Sequence, residues 1–357
     1  MSNVVIHGLG HVGLPLAAAM ARAHTVWGVD LRGEAVLDGI DREPGLAEAA
    51  ADVQIGAPPA PVDVAVVAVP TPLTNMQADL TAVQAATRDA LQNLRDGGLL
   101  LLASTCPVGT ARSLEVPDGV AVASLPERGL PGQMLAEVIG APRLVGGVGT
   151  EAMERARAFV ETWCDGAVIG VEAEEAELAK LVENSWRDLS IAFVNELETA
   201  SRGLGLDGAR IARLASSHPR VDLPVPGIGV GGHCLPVDPH FLPPGMVLPR
   251  MARRINDGRV DEMVARIRSV AHGTTGVLGL AYKPGVADAR NAPAVAIVQK
   301  LWAMGIEVLA HDPYVGDVGV PRGELAEVLR CDVVVRLVDH VDYAAIHVDL
   351  DLARSGA

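Results

Sequence analysis

The sequence predicts an α/β protein of two parallel-sheet domains joined by a central long helix and a helical domain, and three observations carry that prediction. Short β-branched runs alternate with Ala-rich stretches over residues 1–172, the βαβ rhythm of a parallel sheet covered on both faces. Residues 174–202 hold no Pro or Gly, and Leu178, Leu181, Ile191 and Val194 recur near helical spacing. Beyond Gly273 the βα rhythm returns. The domains expected are 1–172, 173–272 and 273–357.

In chain order, the strands expected in the first domain are 4–7, 25–29, 64–69, 99–103, 120–124 and 167–171, each apolar and bounded by turn-forming residues. The long helix follows at 174–202. A Pro- and Gly-rich loop, 218–244, precedes a second helix at 246–270. The last domain should contain strand 275–280, helix 292–304 and strands 307–310 and 332–338. No repeat of 20–50 residues and no low-complexity tract interrupts this order.

Bulk composition narrows the function classes. At 357 residues the chain has room for two or three cores. Its apolar fraction is 49%, yet no apolar run approaches the roughly 18 residues that span a bilayer. The first residues run straight into a strand pattern with no secretory signal, so a soluble, cytoplasmic protein without membrane association is expected. Cys106, Cys164, Cys234 and Cys331 are too widely spaced for a disulfide framework or a zinc site, and no metal is expected. With 29 basic against 44 acidic residues, the formal charge of −15 argues against a nucleic-acid partner. Only three of the 29 basic residues are lysines, Lys180, Lys283 and Lys300. Where arginine replaces lysine so freely, the remaining lysines are candidates for sites that need a compact ammonium.

The first motif is Gly8-Leu-Gly10-His11-Val12-Gly13, directly after a strand and opening a helix, with Asp30 closing the second strand. Glycines there permit a tight turn and close approach of the backbone to a pyrophosphate, and the helix N-terminus favours its charge. A carboxylate at Asp30 would accept the ribose hydroxyls and repel the 2′-phosphate of NADP, so NAD is the cofactor expected, although Arg32 lies nearby. Two later strand ends, Val69-Pro70-Thr71-Pro72 and Ser104-Thr105-Cys106-Pro107, fall at the ligand-facing edge of such a sheet. Thr71 and Thr105 are candidates for the nicotinamide half.

The second motif is Pro226-Gly-Ile-Gly229-Val-Gly231-Gly232-His-Cys234-Leu-Pro-Val-Asp238, a thiol at the end of a glycine loop with a carboxylate four residues on. If a helix begins near Pro236, Cys234 sits at its positive end, where a thiolate is favoured. Lys180 and Asn184 are i and i+4 on the long helix, so both project from one face.

With these segments the sequence resembles the UDP-glucose/GDP-mannose dehydrogenase family over nearly all of its length. Pro126-Glu127-Arg128, His218-Pro-Arg220, Ala252-Arg-Arg-Ile-Asn256, Gly279-Leu-Ala-Tyr282-Lys283-Pro and Asp288-Ala-Arg290 extend the likeness. The resemblance implies two Rossmann-like domains around a helical dimerisation domain, the second closing over the nucleotide of a nucleotide-sugar. It implies Cys234 as nucleophile, Lys180 and Asn184 as oxyanion donors, and Thr105, Glu127 and Asp238 around the hydrolytic water, with the general base open between Glu127 and Asp238. It implies substrate contacts from Glu127, Arg128, Lys180, Asn184, Gly229, Gly231, Gly232, Tyr282 and Lys283. Arg290 is expected to contact NAD, and Arg220 to reach the neighbouring subunit of a homodimer.

The reaction implied is a four-electron, NAD-dependent oxidation of a sugar CH₂OH to a carboxylate, the aldehyde being captured on Cys234 as a thiohemiacetal and oxidised to a thioester. Pro126-Glu-Arg-Gly-Leu-Pro-Gly132 resembles the subgroup that oxidises UDP-N-acetylhexosamines, with UDP-N-acetylmannosamine first and UDP-glucose or an unusual nucleotide as alternatives. The chain is shorter than is usual in the family between Asp30 and Val64 and between Thr110 and Pro126, which bears on the sugar accepted. Two rivals are a two-electron β-hydroxyacid dehydrogenase, which needs no Cys234, and a silent nucleotide-binding regulator, against which the full set of chemical residues argues.

Overall fold

The computed structural model describes residues 1–33, 43–129 and 132–353. By compactness the chain divides into two units, one of residues 1–182 with 240–243 and the other of 183–239 with 244–357, the boundary falling inside the helix Ala173–Gly203.

The first unit is built on an eight-stranded sheet. Its strands are β1 (Asn3–His7), β2 (Thr25–Val29), β3 (Val53–Ile55), β4 (Val62–Val67), β7 (Leu94–Leu102), β8 (Ala121–Ser124), β9 (Arg143–Gly147) and β10 (Val168–Glu172). A separate hairpin pairs β5 (Leu73–Thr74) with β6 (Gln77–Ala78). The sheet order is β10-β9-β8-β7-β4-β1-β2-β3. Pairing is parallel from β3 through β8, and β9 and β10 pair parallel with each other but antiparallel to β8. Successive residues of the central strands feed opposite cores: Val4, Ile6, Val64, Val66, Leu99 and Leu101 pack on one face, and Val5, Ala65, Val67, Leu100 and Leu102 on the other. Burial on both faces explains why these strands read as unbroken apolar runs.

In the second unit a four-stranded parallel sheet has the order β12-β11-β13-β14, from β11 (Thr275–Leu278), β12 (Val308–His311), β13 (Val333–Arg336) and β14 (Leu350–Asp351). Helix Pro293–Ala303 opens with the proline at its first turn and packs Ile297, Val298 and Leu301 into the core with Val277, Val335 and Ile267. Ile267 belongs to helix Val247–Val270, which the sequence places at 246–270. Between the long helices lies Gly208–Ala215, whose N-cap Asp207 accepts from the N–H groups of Ala209 and Arg210.

Several expected bounds shift. The strand expected at 64–69 is β4 at 62–67, because the chain turns off the sheet at Ala68, whose N–H still donates to His7 O (2.8 Å), and Val69, whose N–H donates to Ser104 Oγ (2.9 Å). The strand expected at 99–103 starts five residues earlier, since Arg95-Asp-Gly-Gly98 continues β7 where it reads as a turn. The helix expected near Pro236 is absent. Only a four-residue 3₁₀ turn, Asp238–Phe241, follows Cys234, so no helix N-terminus polarises its sulfur. Among the described residues no helix is long and apolar enough to cross a membrane, and no cluster of three His, Cys, Asp or Glu could hold a metal.

Candidate active site and dinucleotide site

The turn after β1 is held by its own backbone. Gly8, at φ +93°, donates to Val29 O at 2.8 Å, and a Cβ on Gly13 would lie 1.8 Å from Gly8 O, so that glycine is required by packing. Gly10 differs, because a Cβ there would meet nothing within 4 Å. The space beside it is what a ligand's pyrophosphate would fill. Helix Gly13–Ala21 begins after Val12 with no side-chain cap, and Leu14 N donates to Gly10 O at 3.1 Å, so the turn runs straight into the helix. These features fit a dinucleotide. The exposed His11 flanks the same turn.

Asp30 accepts from Leu9 N at 2.8 Å and pairs with Arg32, whose N and Nε lie 2.9 and 3.1 Å from Oδ1. Burial works against its charge, but the bonds from Arg32 and Leu9 outweigh it and hold the carboxyl below its ordinary value. The acid is therefore ionised and faces solvent through an exposed guanidinium, which must swing aside for ribose hydroxyls to reach it.

The two strand-end loops meet: Thr71 Oγ1 donates to Thr105 O at 2.6 Å, and Ser104 Oγ donates to Val69 O at 2.8 Å. Pro70 lies between them in sequence. Two residues that the sequence does not single out support this region. Glu177, one turn before Lys180, accepts from Gly109 N (2.6 Å) and Ala111 N (2.8 Å) and so fastens the loop that follows Thr105 to the long helix. Burial raises its carboxyl above the ordinary value, with those amides pulling the other way. Its i, i+3 spacing from Lys180 was the available signal. Arg143 donates from Nη2 to Glu127 Oε2 at 2.5 Å, while Arg128 N and Gly129 N both lie 2.7 Å from Oε1. Both partners are about 95% buried as side chains. No local pattern announces this pair, which forms only when β9 folds beside β8. Arg128 is exposed and donates to Pro142 O. Leu130 and Pro131 of the Pro126–Gly132 motif, and residues 34–42 of the shortened stretch, lie outside the described residues.

Lys180 is 9% exposed and makes no hydrogen bond or ion pair with the described residues. The stem is buried while the ammonium is not among the sealed, unpartnered polar atoms, an arrangement that leaves it open to an anion. Asn184, one turn on, belongs to the second unit and donates from Nδ2 to Asp238 Oδ2 at 2.5 Å, with both residues buried. Asp238 N and Val237 N donate to Cys234 O at 2.8 and 3.1 Å. The structure thus joins Asn184, Asp238 and Cys234 in one turn of the second unit, and Cys234 is exposed.

Upstream of the thiol, Gly229 and Gly232 adopt φ +135° and +85°, and a Cβ on Gly231 would lie 2.8 Å from Asn291 O and 2.9 Å from Tyr282 Cβ. Gly232 N donates to Arg290 O, and Asn291 Nδ2 donates to Gly232 O, each at 3.0 Å. The loop is therefore seated on the segment that carries Tyr282, Lys283 and Arg290. Burial first, then the charges of Asp288 and of a Cys234 thiolate, push the Tyr282 phenol up. Lys283 Nζ lies 6.0 Å from the Tyr282 ring centroid, and Arg290 pairs with Asp288 at 2.5 Å. Arg220 is exposed, with Nη2 3.4 Å from His218 Nε2. Thr105, Glu127 and Lys180 fall in the first unit and Asn184, Arg220, Cys234, Asp238, Tyr282, Lys283 and Arg290 in the second.

Comparison with known proteins agrees over the whole chain. Three family descriptions match in order: UDP-glucose/GDP-mannose dehydrogenase family, NAD binding domain, at residues 2–164; its central domain at 174–246; and its UDP binding domain at 276–354. An NDP-N-acetyl-D-galactosaminuronic acid dehydrogenase of Ralstonia nicotianae is 34% identical, covering 97% of this chain and 93% of its own. A UDP-N-acetyl-D-mannosamine dehydrogenase of Methanocaldococcus jannaschii is 33% identical, covering 96% and 86%. The solved UDP-D-ManNAc dehydrogenase of Pyrococcus horikoshii superposes with a TM-score of 0.88 at 30% identity, over 97% of this chain and 91% of that one.

Proposed function

The chain belongs to the UDP-glucose/GDP-mannose dehydrogenase family and is an NAD-dependent nucleotide-sugar dehydrogenase, and from that premise we propose that it oxidises C6 of a UDP-N-acetylhexosamine, UDP-N-acetylmannosamine first, through a covalent adduct on Cys234. The observation that carries the mechanism is the bonded turn in which Asn184, Asp238 and Cys234 meet. The observation that carries the sugar is Pro126-Glu127-Arg128, together with relatives named for N-acetylmannosamine and N-acetylgalactosaminuronic acid.

Gly8, Gly10, Gly13 and Asp30 would hold NAD, which when bound would supply the hydride acceptor for each of the two oxidations. The alcohol would lose a hydride from C6 to that acceptor and its hydroxyl proton to solvent, becoming an aldehyde. The Cys234 thiolate then adds to the carbonyl carbon, and Lys180 and Asn184 donate to the thiohemiacetal oxyanion. Loss of the second hydride leaves a thioester. Water attacks its carbonyl, the C–S bond breaks, and the carboxylate departs while the thiolate is restored. For the base that takes the water's proton we favour Asp238 over Glu127: Asp238 lies four residues from the sulfur and accepts from the neutral Asn184 amide, whereas the Glu127 carboxylate is held by the Arg143 guanidinium and two backbone N–H groups.

Family likeness also supports a homodimer in which Arg220 reaches the partner's substrate. The exposed apolar side chains Trp186 and Phe193 on the long helix suit a second copy of that helix. Mixing Arg220→Ala with Cys234→Ala chains should restore part of the activity in mixed dimers. None regained in proven hybrids would end that part of the reading.

The chemistry is tested by incubating the enzyme with NAD and UDP-N-acetylmannosamine, UDP-N-acetylglucosamine, UDP-glucose or GDP-mannose, counting NADH per acid formed. Two NADH per carboxylate, fastest with the first sugar, is expected. Cys234→Ser should nearly abolish turnover and accumulate a sugar ester at residue 234 visible by mass spectrometry. Near-normal four-electron turnover by Cys234→Ser would sink covalent catalysis at this position.

A further inference from the structure

Asn256 closes a motif that the catalytic reading leaves without a role, and its surroundings give it one. The glycine loop is held at its start through both backbone groups of Gly227, seven residues before Cys234. Gly227 N donates to Asn195 Oδ1 at 2.9 Å, and Gly227 O accepts from Arg259 Nε at 2.8 Å. Asn195 Nδ2 donates to Asn256 Oδ1 at 3.0 Å, Asn256 Nδ2 donates to Asp188 Oδ1 at 2.8 Å, and that oxygen also accepts from Arg253 Nη1 at 2.5 Å. Arg259 is itself fixed by Glu198 at 2.6 Å and Glu262 at 2.7 Å. Asn195, Asn256, Asp188, Arg253 and Arg259 are each at most 4% exposed.

The order of this chain of bonds leaves no freedom. One end is a backbone N–H, which only donates, and the other a carboxylate, which accepts. Each amide between them must therefore present its oxygen toward Gly227 and its NH₂ toward Asp188. A helix contact made only for stability would be served better by apolar side chains, since buried ionic groups seldom gain over well-packed hydrophobic ones. Here Asp188 Oδ2 and Arg253 Nε are left without a partner, a further cost. What the polar set gains is a fixed direction at the loop backbone.

We propose that Asn195 and Asn256 are positioning residues that orient the Cys234 loop, transmitting the fixed polarity of Asp188 to Gly227. The proposal rests on Cys234 being the nucleophile only for its consequence in turnover. The geometry of the loop can be read separately, from the rate at which iodoacetamide alkylates Cys234, located by peptide mass mapping.

Asn256→Leu fills a similar volume but lets the Asn195 amide turn over. It should lower kcat by about 10- to 100-fold, as a small misplacement of a reacting group does, with KM for the nucleotide-sugar changed less. The alkylation rate of Cys234 should shift at least threefold. Asn256→Asp sets a second carboxylate against Asp188 and should be worse. Asn195→Leu takes the acceptor from Gly227 N directly while leaving the Asn256–Asp188 bond in place, and should move both readouts at least as far as Asn256→Leu does. The proposal is overturned if Asn256→Leu or Asn195→Leu folds with kcat and alkylation unchanged. Where a leucine variant does not fold, the smaller Asn256→Ala is read in its place by the same two measurements, and failure of all three to fold overturns the positioning role, since the set would then serve the core alone. Altered alkylation in Asn256→Leu beside an active Cys234→Ser would leave the loop clamp standing and remove the catalytic reading instead.

Discussion

The two sheets repeat one turn and use it differently. In the first, Gly8 at φ +93° donates to Val29 O, and Leu9 N donates to Asp30 just past β2. In the second, Gly279 at φ +96° donates to His311 O, and Leu280 N donates to Asp312 just past β12. The backbone device is the same, but Asp30 spends one oxygen on the loop and keeps an exposed arginine, whereas Asp312 is saturated. It accepts from Leu280, Ala281, Tyr314 and Val315 N–H groups and from His340 Nε2 at 3.0 Å, and its side chain is fully buried. His340 Nδ1 accepts from Gly285 N, which fixes the ring as the tautomer that donates to Asp312. A glycine turn followed by an acid thus marks a way of closing a β-strand pair. It is suited to a dinucleotide only where the acid stays reachable and a helix follows at once, as at Gly13. After Ala281 the second sheet has Tyr282 and Lys283, and no helix until Pro293.

The comparison breaks first, and by the largest margin, at Asp312. Asp312→Asn should destabilise the protein by about 3 kcal/mol, because it strands buried donors, while NAD affinity of the remaining folded protein is unchanged. Burial disfavours this carboxylate's charge, yet His340 and the backbone amides prevail and hold it well below the ordinary carboxylate range. A depressed folded value adds stability that is complete above the unfolded value of about 4 and is lost as pH falls below it. Urea midpoints measured from pH 6 down to 2.5 should fall less steeply in Asp312→Asn. An equal slope in both proteins would show that the acid is not the pin described.

At Asp30 the expected effect is smaller and of another kind. Asp30→Ala should raise KM for NAD about tenfold, the loss of roughly one charged hydrogen bond, and should relax discrimination against NADP while leaving thermal stability nearly unchanged. A fall in melting temperature as large as that of Asp312→Asn would erase the distinction between the two acids.

Least of all should change at Arg32. The pair is exposed on the arginine side and worth under about 1 kcal/mol. Arg32→Ala should lower KM for NAD by no more than about threefold, since the ribose no longer competes for Asp30, and NADP should not benefit. A gain in NADP use would mean that Arg32 excludes it.

Much of this was legible in sequence where a residue's own neighbours decide its place. Strand 25–29 is found at those residues, and the stretch free of Pro and Gly, 174–202, lies within a helix of Ala173–Gly203. Strand β9 was not, because Arg143-Leu-Val-Gly-Gly147 is half glycine and charge, and its place is decided by pairing with β8 and by the ion pair to Glu127. The helix imagined after Pro236 failed for a similar reason: Asn184, 54 residues away in sequence, takes the side chain of Asp238 and the turn closes on Cys234 instead. Of the site residues, the motif glycines and Cys234 could be named from spacing, but which carboxylate is engaged, and by whom, depends on partners no spacing reveals.

Lys180 has a consequence for handling the protein. With three lysines in the chain, amine acylation is a short list of reactions: Lys300 has a side chain 45% exposed, Lys283 is half-buried, and Lys180 lies at 9%. Reagents that attach a surface, a dye or an affinity tag through lysine therefore meet Lys300 first and Lys180 last. Bound nucleotide-sugar should slow the last of them most. Mass increments counted during mild acylation would then follow how far the ammonium at position 180 is shielded.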